Sequence, residues 1–197
     1  MAEKTQLTTP GSFTLNVTVT DSAALSDTAV ITINVTNQND PPVITQSDPA
    51  SVTMDEDGAP TPFSLTLDAT DEDGDTLTWS ILTQASNGTA TASGTGGSKA
   101  IGYTPNLNYN GSDSFVVQVS DGNGGTDSIT VNVTIDPQND DPIAVDDGYT
   151  VDENSANNTL TVLANDTNPD SGETLTVSAI GATDNGGTTV NNTSSIA

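Results

Sequence analysis

The chain has 197 residues and a net charge of −25, from 27 acidic side chains against two basic ones, Lys4 and Lys99. Phosphate and anionic lipid recognition need cations, so the balance argues against nucleic acid and membrane surfaces as partners, and no run approaches the ~18 apolar residues of a membrane span. His, Cys and Arg are absent, which removes disulfides and the Ser–His and Cys–His nucleophile pairs; a glycoside-cleaving carboxylate pair would be indistinguishable from the surrounding acids, so the chain reads as non-enzymatic.

The opening "MAEKTQLTTPG" lacks the apolar core of a signal peptide and reads as a cut made inside a longer chain. Two alternating runs follow. Phe13, Leu15, Val17 and Val19 are separated by Thr and Asn, and so are Ala29, Ile31, Ile33 and Val35. Period-two alternation of β-branched and aromatic residues predicts half-buried strands. After the element "NQNDPP" (37–42), the same reading predicts strands near 51–54, 63–69, 76–82, 88–92, 99–103, 113–120 and 127–135. Trp79 shares a face with Leu77 and Ile81 and is expected in a core rather than as a sugar-stacking platform. No stretch has a convincing helical period. Short strands with Gly, Asn and Asp turns predict an all-β chain of immunoglobulin-like sandwiches.

The chain repeats. Residues 13–40 match residues 113–140 at an offset of 100, and "NQNDPP" matches "PQNDDP" (137–142). "VTMDEDG" (52–58) matches "YTVDENS" (149–155), and "TLTWSIL" (76–82) matches "TLTVSAI" (174–180). This phase predicts one complete domain at 42–138. Residues 1–39 would then be the last two strands of a preceding repeat, and residues 142–197 the first four or so of a following one.

The acids cluster. "DATDEDGDTLTWS" (68–80) places Asp68, Asp71, Glu72, Asp73 and Asp75 against the start of a strand. Two lysines cannot neutralise such groups, whereas a hard divalent cation such as Ca²⁺ takes Asp, Glu, Asn and main-chain oxygens. Disorder is disfavoured by the patterned apolar residues; salt adaptation remains compatible with metal binding. An EF-hand fits poorly, because Thr76 stands where its Gly is needed and Leu82 where its final Glu is needed.

In this setting the whole chain resembles the cadherin-like tandem repeats of large secreted bacterial adhesins and some polysaccharide-degrading surface proteins. The resemblance rests on four motifs in order: the first-strand Glu motif ("MDEDG" 54–58, "VDEN" 151–154), the Asp-x-Asp loop ("ATDEDGD" 69–75), the loop before the last strand ("VSDGNGG" 119–125), and the linkers "NQNDPP" and "PQNDDP". It implies Ca²⁺ at the junctions between repeats and an extracellular or cell-surface location. At the first junction it implies Asp71, Asp73 and Asp121 as ligands, with Asn37, Asp40 and the main-chain carbonyl of Asn39 from the linker. At the second it implies Glu56, then Asn139, Asp140 and Asp141 from the linker, and Asp166 with Asn168 from "LANDTNPD" (163–170). Asp75, Asp146 and Asp147 read as solvated turn residues. The family's Leu-Asp-Arg-Glu motif is absent, with Asp113 the nearest carboxylate to its place. The function implied is a calcium-stiffened spacer or adhesion module. The alternative is a calcium-dependent carbohydrate-binding module acting on polysaccharide, and the incomplete end repeats raise self-association between chains.

Overall fold

A computed structural model describes residues 9–156 and 158–181, and among these the chain is all-β, with no helix. Strands β1 (Gly11–Thr20) and β2 (Ser26–Val35) form an antiparallel hairpin. Residues 43–136 then close a two-sheet sandwich. Its strands are β3 (Val43–Ile44), β4 (Ala50–Asp55), β5 (Leu65–Thr70), β6 (Thr78–Thr83), β7 (Gly88–Thr91), β8 (Gly94–Thr95), β9 (Ser98–Pro105), β10 (Gly111–Ser120) and β11 (Thr126–Asp136). One sheet runs β4-β11-β10-β6-β8 and the other β3-β5-β9-β7. The chain changes sheet between β3 and β4, across the cis Asp48–Pro49 bond, so that β4 lies parallel to β11.

Alternation does what the sequence implies. Phe115, Val117 and Val119 on β10 and Ile129, Val131, Val133 and Ile135 on β11 are all buried, while the residues between them face outward or are only partly covered. Phe115 stands opposite Val131, and Val117 opposite Ile129. From the other sheet Leu67, Ile101 and Tyr103 close over them. Tyr103 stacks on Phe115 at 5.7 Å between ring centroids. Trp79 lies in this core beside Leu77, and its indole N–H donates to the Gly96 carbonyl (2.7 Å). Each large apolar side chain removed from water in this way contributes about 1.5–3 kcal/mol.

Two strands escape a period-two reading. β3 and β8 have two residues each, too few to show alternation. The larger difference lies after the sandwich. Among the described residues of 142–181 the expected strands form no ladder; Ile143 and Thr167 make one isolated bridge. Val151 and Leu160 stay exposed there. A strand is stabilised by a neighbour, and none of the described strands lies beside this segment. The remainder of the expected third unit lies outside the described residues.

Asp113 holds the fold together rather than facing a junction. Its buried carboxylate accepts from the Ser86 amide (3.1 Å), the Asn87 amide (2.9 Å), the Ser114 amide (2.8 Å) and the Tyr103 hydroxyl (2.8 Å). Burial pushes its pKa upward, but these donors, led by the Asn87 amide, outweigh burial and hold it below the usual carboxylate range. A depressed carboxylate gives stability that is present above its unfolded value near 3.8 and lost as pH falls through the folded value. Asp113→Ala should cost about 3 kcal/mol or more, since it leaves several buried donors unmet. Urea denaturation checks the loss, and Asp113→Asn should flatten the acid limb of stability against pH.

Candidate cation sites at the two ends of the sandwich

The acids are organised mainly by backbone amides. In the loop after β5, Asp71 Oδ1 accepts from the amides of Asp73 (3.0 Å) and Asp75 (3.0 Å), which curls the five-residue stretch on itself. In the loop after β10, Asp121 Oδ1 accepts from Asn123 (2.8 Å) and Gly125 (2.9 Å). The two turns face one another, and Asn123 Nδ2 donates to Asp75 Oδ2 (2.8 Å). Carboxylate oxygens of Asp71, Asp75 and Asp121 fall within 4.8 Å of one another. Asp71 Oδ2 is buried and lacks a hydrogen-bond partner.

The linker preceding the sandwich is tied to the same loops. Asn39 Nδ2 donates to Asp121 Oδ2 (2.7 Å), Asn37 Nδ2 donates to Asp73 Oδ1, and the Asp40 amide donates to Asp73 Oδ2 (2.7 Å). These donors hold both carboxyls below the usual range: the Asp40 amide leads for Asp73, and the Asn39 side chain leads for Asp121. Gly125 lets the linker approach, because a Cβ there would lie 2.7 Å from Pro41 Cα.

At the far end, carboxylate oxygens of Glu56, Asp140 and Asp170 also fall within 4.8 Å of one another. Glu56 is buried just past β4. Its Oε1 accepts from the Gln138 amide (2.5 Å) and its Oε2 from Asn110 Nδ2 (3.2 Å). The Asp140 amide donates to Asp170 Oδ2 (2.8 Å), and the Asp170 amide donates to Asn168 Oδ1 (3.0 Å). Burial, then the charges of Asp57, Asp170, Glu56 and Asp141, raise the pKa of Asp140.

Of the residues expected at the first junction, Asp71 and Asp121 share the cluster. Asp73 instead turns to Asn37 and Asp40, and Asn39 touches the cluster through its side chain. Asp75, expected as a solvated turn residue, takes the third place. At the second junction Glu56 and Asp140 meet. Asp166 instead caps the Val145 amide (2.8 Å), Asn168 binds Glu173, Asn139 reaches only the Asp140 carbonyl, and Asp141 adds charge nearby without joining the group. Asp170 supplies the carboxylate. Asp75 and Asp170 occupy the fifth position of "DEDGD" and "DTNPD", which sit at one place in the repeat. That shared spacing is the signal a reading of Asp-x-Asp alone passes over.

Every ligand atom in both clusters is oxygen, which suits a hard cation and not zinc. Calcium takes 6–8 oxygens, more than the three carboxylates of the first group bring together, and Asp71 Oδ2 is the one among them left without a donor.

A family model described as a bacterial Ig domain matches residues 39–134 and again residues 139–197. No curated protein matches the chain. Among solved structures the chain is similar to extracellular cadherin domains 1–5 of protocadherin gamma B2, at 24% identity and a TM-score of 0.47, over 74% of this chain and 29% of that one. It is similar to the human desmocollin-1 ectodomain at 20% identity and a TM-score of 0.43, over 68% of this chain and 29% of that one. An endo-fucoidan hydrolase of glycoside hydrolase family 107 shows 18% identity and a TM-score of 0.38, over 65% of this chain and 19% of that one. The chain spans less than a third of the length of each of these structures.

Two outcomes are expected. Gly125→Ala should loosen the first linker without unfolding the sandwich, read as faster amide exchange at Asp40 with unchanged Trp79 fluorescence. Cation binding at the second cluster should weaken first as pH falls, because a proton competes on the raised Asp140 carboxyl. The first cluster, where Asp121 is held below the usual carboxylate range, should keep its affinity to lower pH, and Asp140→Asn should abolish the difference in calorimetric titrations.

Proposed function

The chain belongs to the bacterial Ig domain family, and on that premise we propose that it is a calcium-stiffened stretch of cadherin-like repeats from a large extracellular bacterial adhesin, serving as a spacer or adhesion module. One observation carries the reading. Asp71 Oδ2 is buried without a donor, converges with Asp75 and Asp121, and lies in loops that also grip the incoming linker. A carboxylate oxygen left dry and unpaired is costly, and a divalent cation removes that cost. The second cluster supports the same reading, since Glu56 comes from the sandwich, Asp140 from the linker and Asp170 from the segment beyond. The order of the four motifs agrees with it.

When bound, the cation supplies charge neutralisation and a shared coordination shell. The protein supplies the rest. Asp71 and Asp121 are held in place by their own loop amides, so their oxygens are set before binding. Asn37, Asn39 and Asp40 keep the linker against those loops, which limits the angles the preceding hairpin can take. Two of the aromatic side chains that could serve a carbohydrate, Trp79 and Tyr103, are committed to the core, while Tyr149 is exposed.

Extracellular modules bind Ca²⁺ with Kd of about 10⁻⁴–10⁻³ M. At a Kd near 10⁻⁴ M and about 1 mM Ca²⁺, each site adds about 1.4 kcal/mol. For a domain of this size that corresponds to a rise in Tm of roughly 6–11 °C per site. Scanning calorimetry should show this gain and its loss in chelator. Small-angle scattering should show a narrower spread of interdomain distances with calcium, and Asp71→Asn/Asp75→Asn should remove the first site's share. Identical melting and scattering with and without calcium would overturn the proposal.

A further inference from the structure

The acids that face the first linker are filled by it, and the acid that faces the cation cluster is not. Asp73 accepts from Asn37 Nδ2 on Oδ1 and from the Asp40 amide on Oδ2 (2.7 Å). Asp121 accepts from the Asn123 and Gly125 amides on Oδ1 (2.8 and 2.9 Å) and from Asn39 Nδ2 on Oδ2 (2.7 Å). An ionised carboxylate only accepts, so each asparagine turns its NH2 group towards it and its carbonyl away. Both oxygens of both acids have a donor, and Asn37, Asn39 and Asp40 of the linker supply most of them. Asp71 differs. Its donors are the amides of Asp73 and Asp75 in its own turn, and its Oδ2 is buried without one.

The linker is fastened further along by groups outside the cluster. The Ile44 amide donates to Asp127 Oδ2 (2.8 Å) and the Thr45 amide to the Asp68 carbonyl (2.9 Å). Pro41 lies close over Gly125. A proline there also fixes one backbone angle, which lowers the entropy lost on docking. The second linker is written differently: Pro137 and Asp141 stand where Asn37 and Pro41 stand in the first. A side-chain donor gives way to a residue with none, and a neutral residue gives way to a negative one beside Asp140.

We propose that Asn37 and Asn39 clasp the first linker to the sandwich without a cation, and that a cation at this end braces the Asp71 loop instead of docking the linker. The second half rests on the function proposed above; the first half does not. The side-chain amides do for Asp73 and Asp121 what a cation would do, and they do it with neutral groups that stay in place when calcium is withdrawn. The narrowing of interdomain distances by calcium then arises at the second junction, while the first site's share is read as thermal stability.

Amide exchange at Asp40, followed by NMR on the full 197-residue chain in chelator and in calcium, tests the clasp. The Asp40 rate should differ by less than about twofold between the two conditions. Asn37→Asp/Asn39→Asp sets carboxylates against Asp73 and Asp121. In chelator this variant should exchange at Asp40 at least about tenfold faster than the parent, and calcium should restore the parent rate. Asn37→Ala/Asn39→Ala removes the donors without adding charge, and should exchange faster in both conditions with no rescue. Unchanged Trp79 fluorescence in both variants reports an intact sandwich. A parent whose Asp40 amide exchanges fast in chelator and is slowed by calcium overturns the proposal, as does a parent-like rate in chelator for either variant. The calcium reading fails separately: absence of calcium heat in calorimetry removes that reading, while slow exchange in the parent and fast exchange in the variants still upholds the clasp.

Discussion

A carboxylate that leaves water needs a donor, and this chain has almost no basic side chains to provide one. The consequence is visible at each buried acid. Asp55 takes the Thr61 amide, Asp113 takes three amides and a phenol, Asp121 takes two amides and an asparagine, and Glu56 takes an amide and an asparagine. Backbone N–H groups thus do what lysine and arginine do elsewhere. Because an amide's direction is fixed by the turn that carries it, the acids dictate the shape of the loops. The abundance of Asp, Gly and Asn next to strands follows from this, as does the fixing of both linkers against the sandwich.

The same constraint separates structural acids from candidate ligands. Asp113 and Asp71 both accept amide donors, but Asp113 has both oxygens filled whereas Asp71 has one oxygen filled and one bare. Asp113 is also bound to no linker, since the donors it accepts from come from the β6–β7 connection, β9 and its own strand. Asp140 illustrates the opposite failure. Partly desolvated and then crowded by like charges, its carboxyl is pushed upward instead of down, and a proton or a cation relieves both effects.

The strands of the sandwich were legible because their signal is local. Phe115, Val117 and Val119 alternate with polar neighbours, and a β-pleat turns alternation directly into an inner and an outer face. Trp79 was legible for the same reason. The choice between Asp73 and Asp75 was not. Both belong to one short turn, and which side chain points at Asp121 depends on how the Asp71 carboxylate winds the backbone around itself. Spacing in an irregular loop carries no rule for direction. The segment 142–181 shows a different limit: its alternation is as clear as that of β5 and β6, yet a strand exists only beside another strand, and that partner is non-local.

The parallel pairing of β4 with β11 bears on tension. The chain enters the sandwich at the Pro41 end and leaves at the Asp136 end, so pulling on the two linkers draws β4 and β11 in opposite directions along their common axis. The pairs from Ala50–Val131 to Asp55–Asp136 are then loaded in shear, all at once, instead of being opened one after another as in a hairpin pulled from its ends. Rupture under force is governed by the unfolding barrier and not by equilibrium stability. A domain wired in this way would resist tension applied through its linkers without a high equilibrium stability.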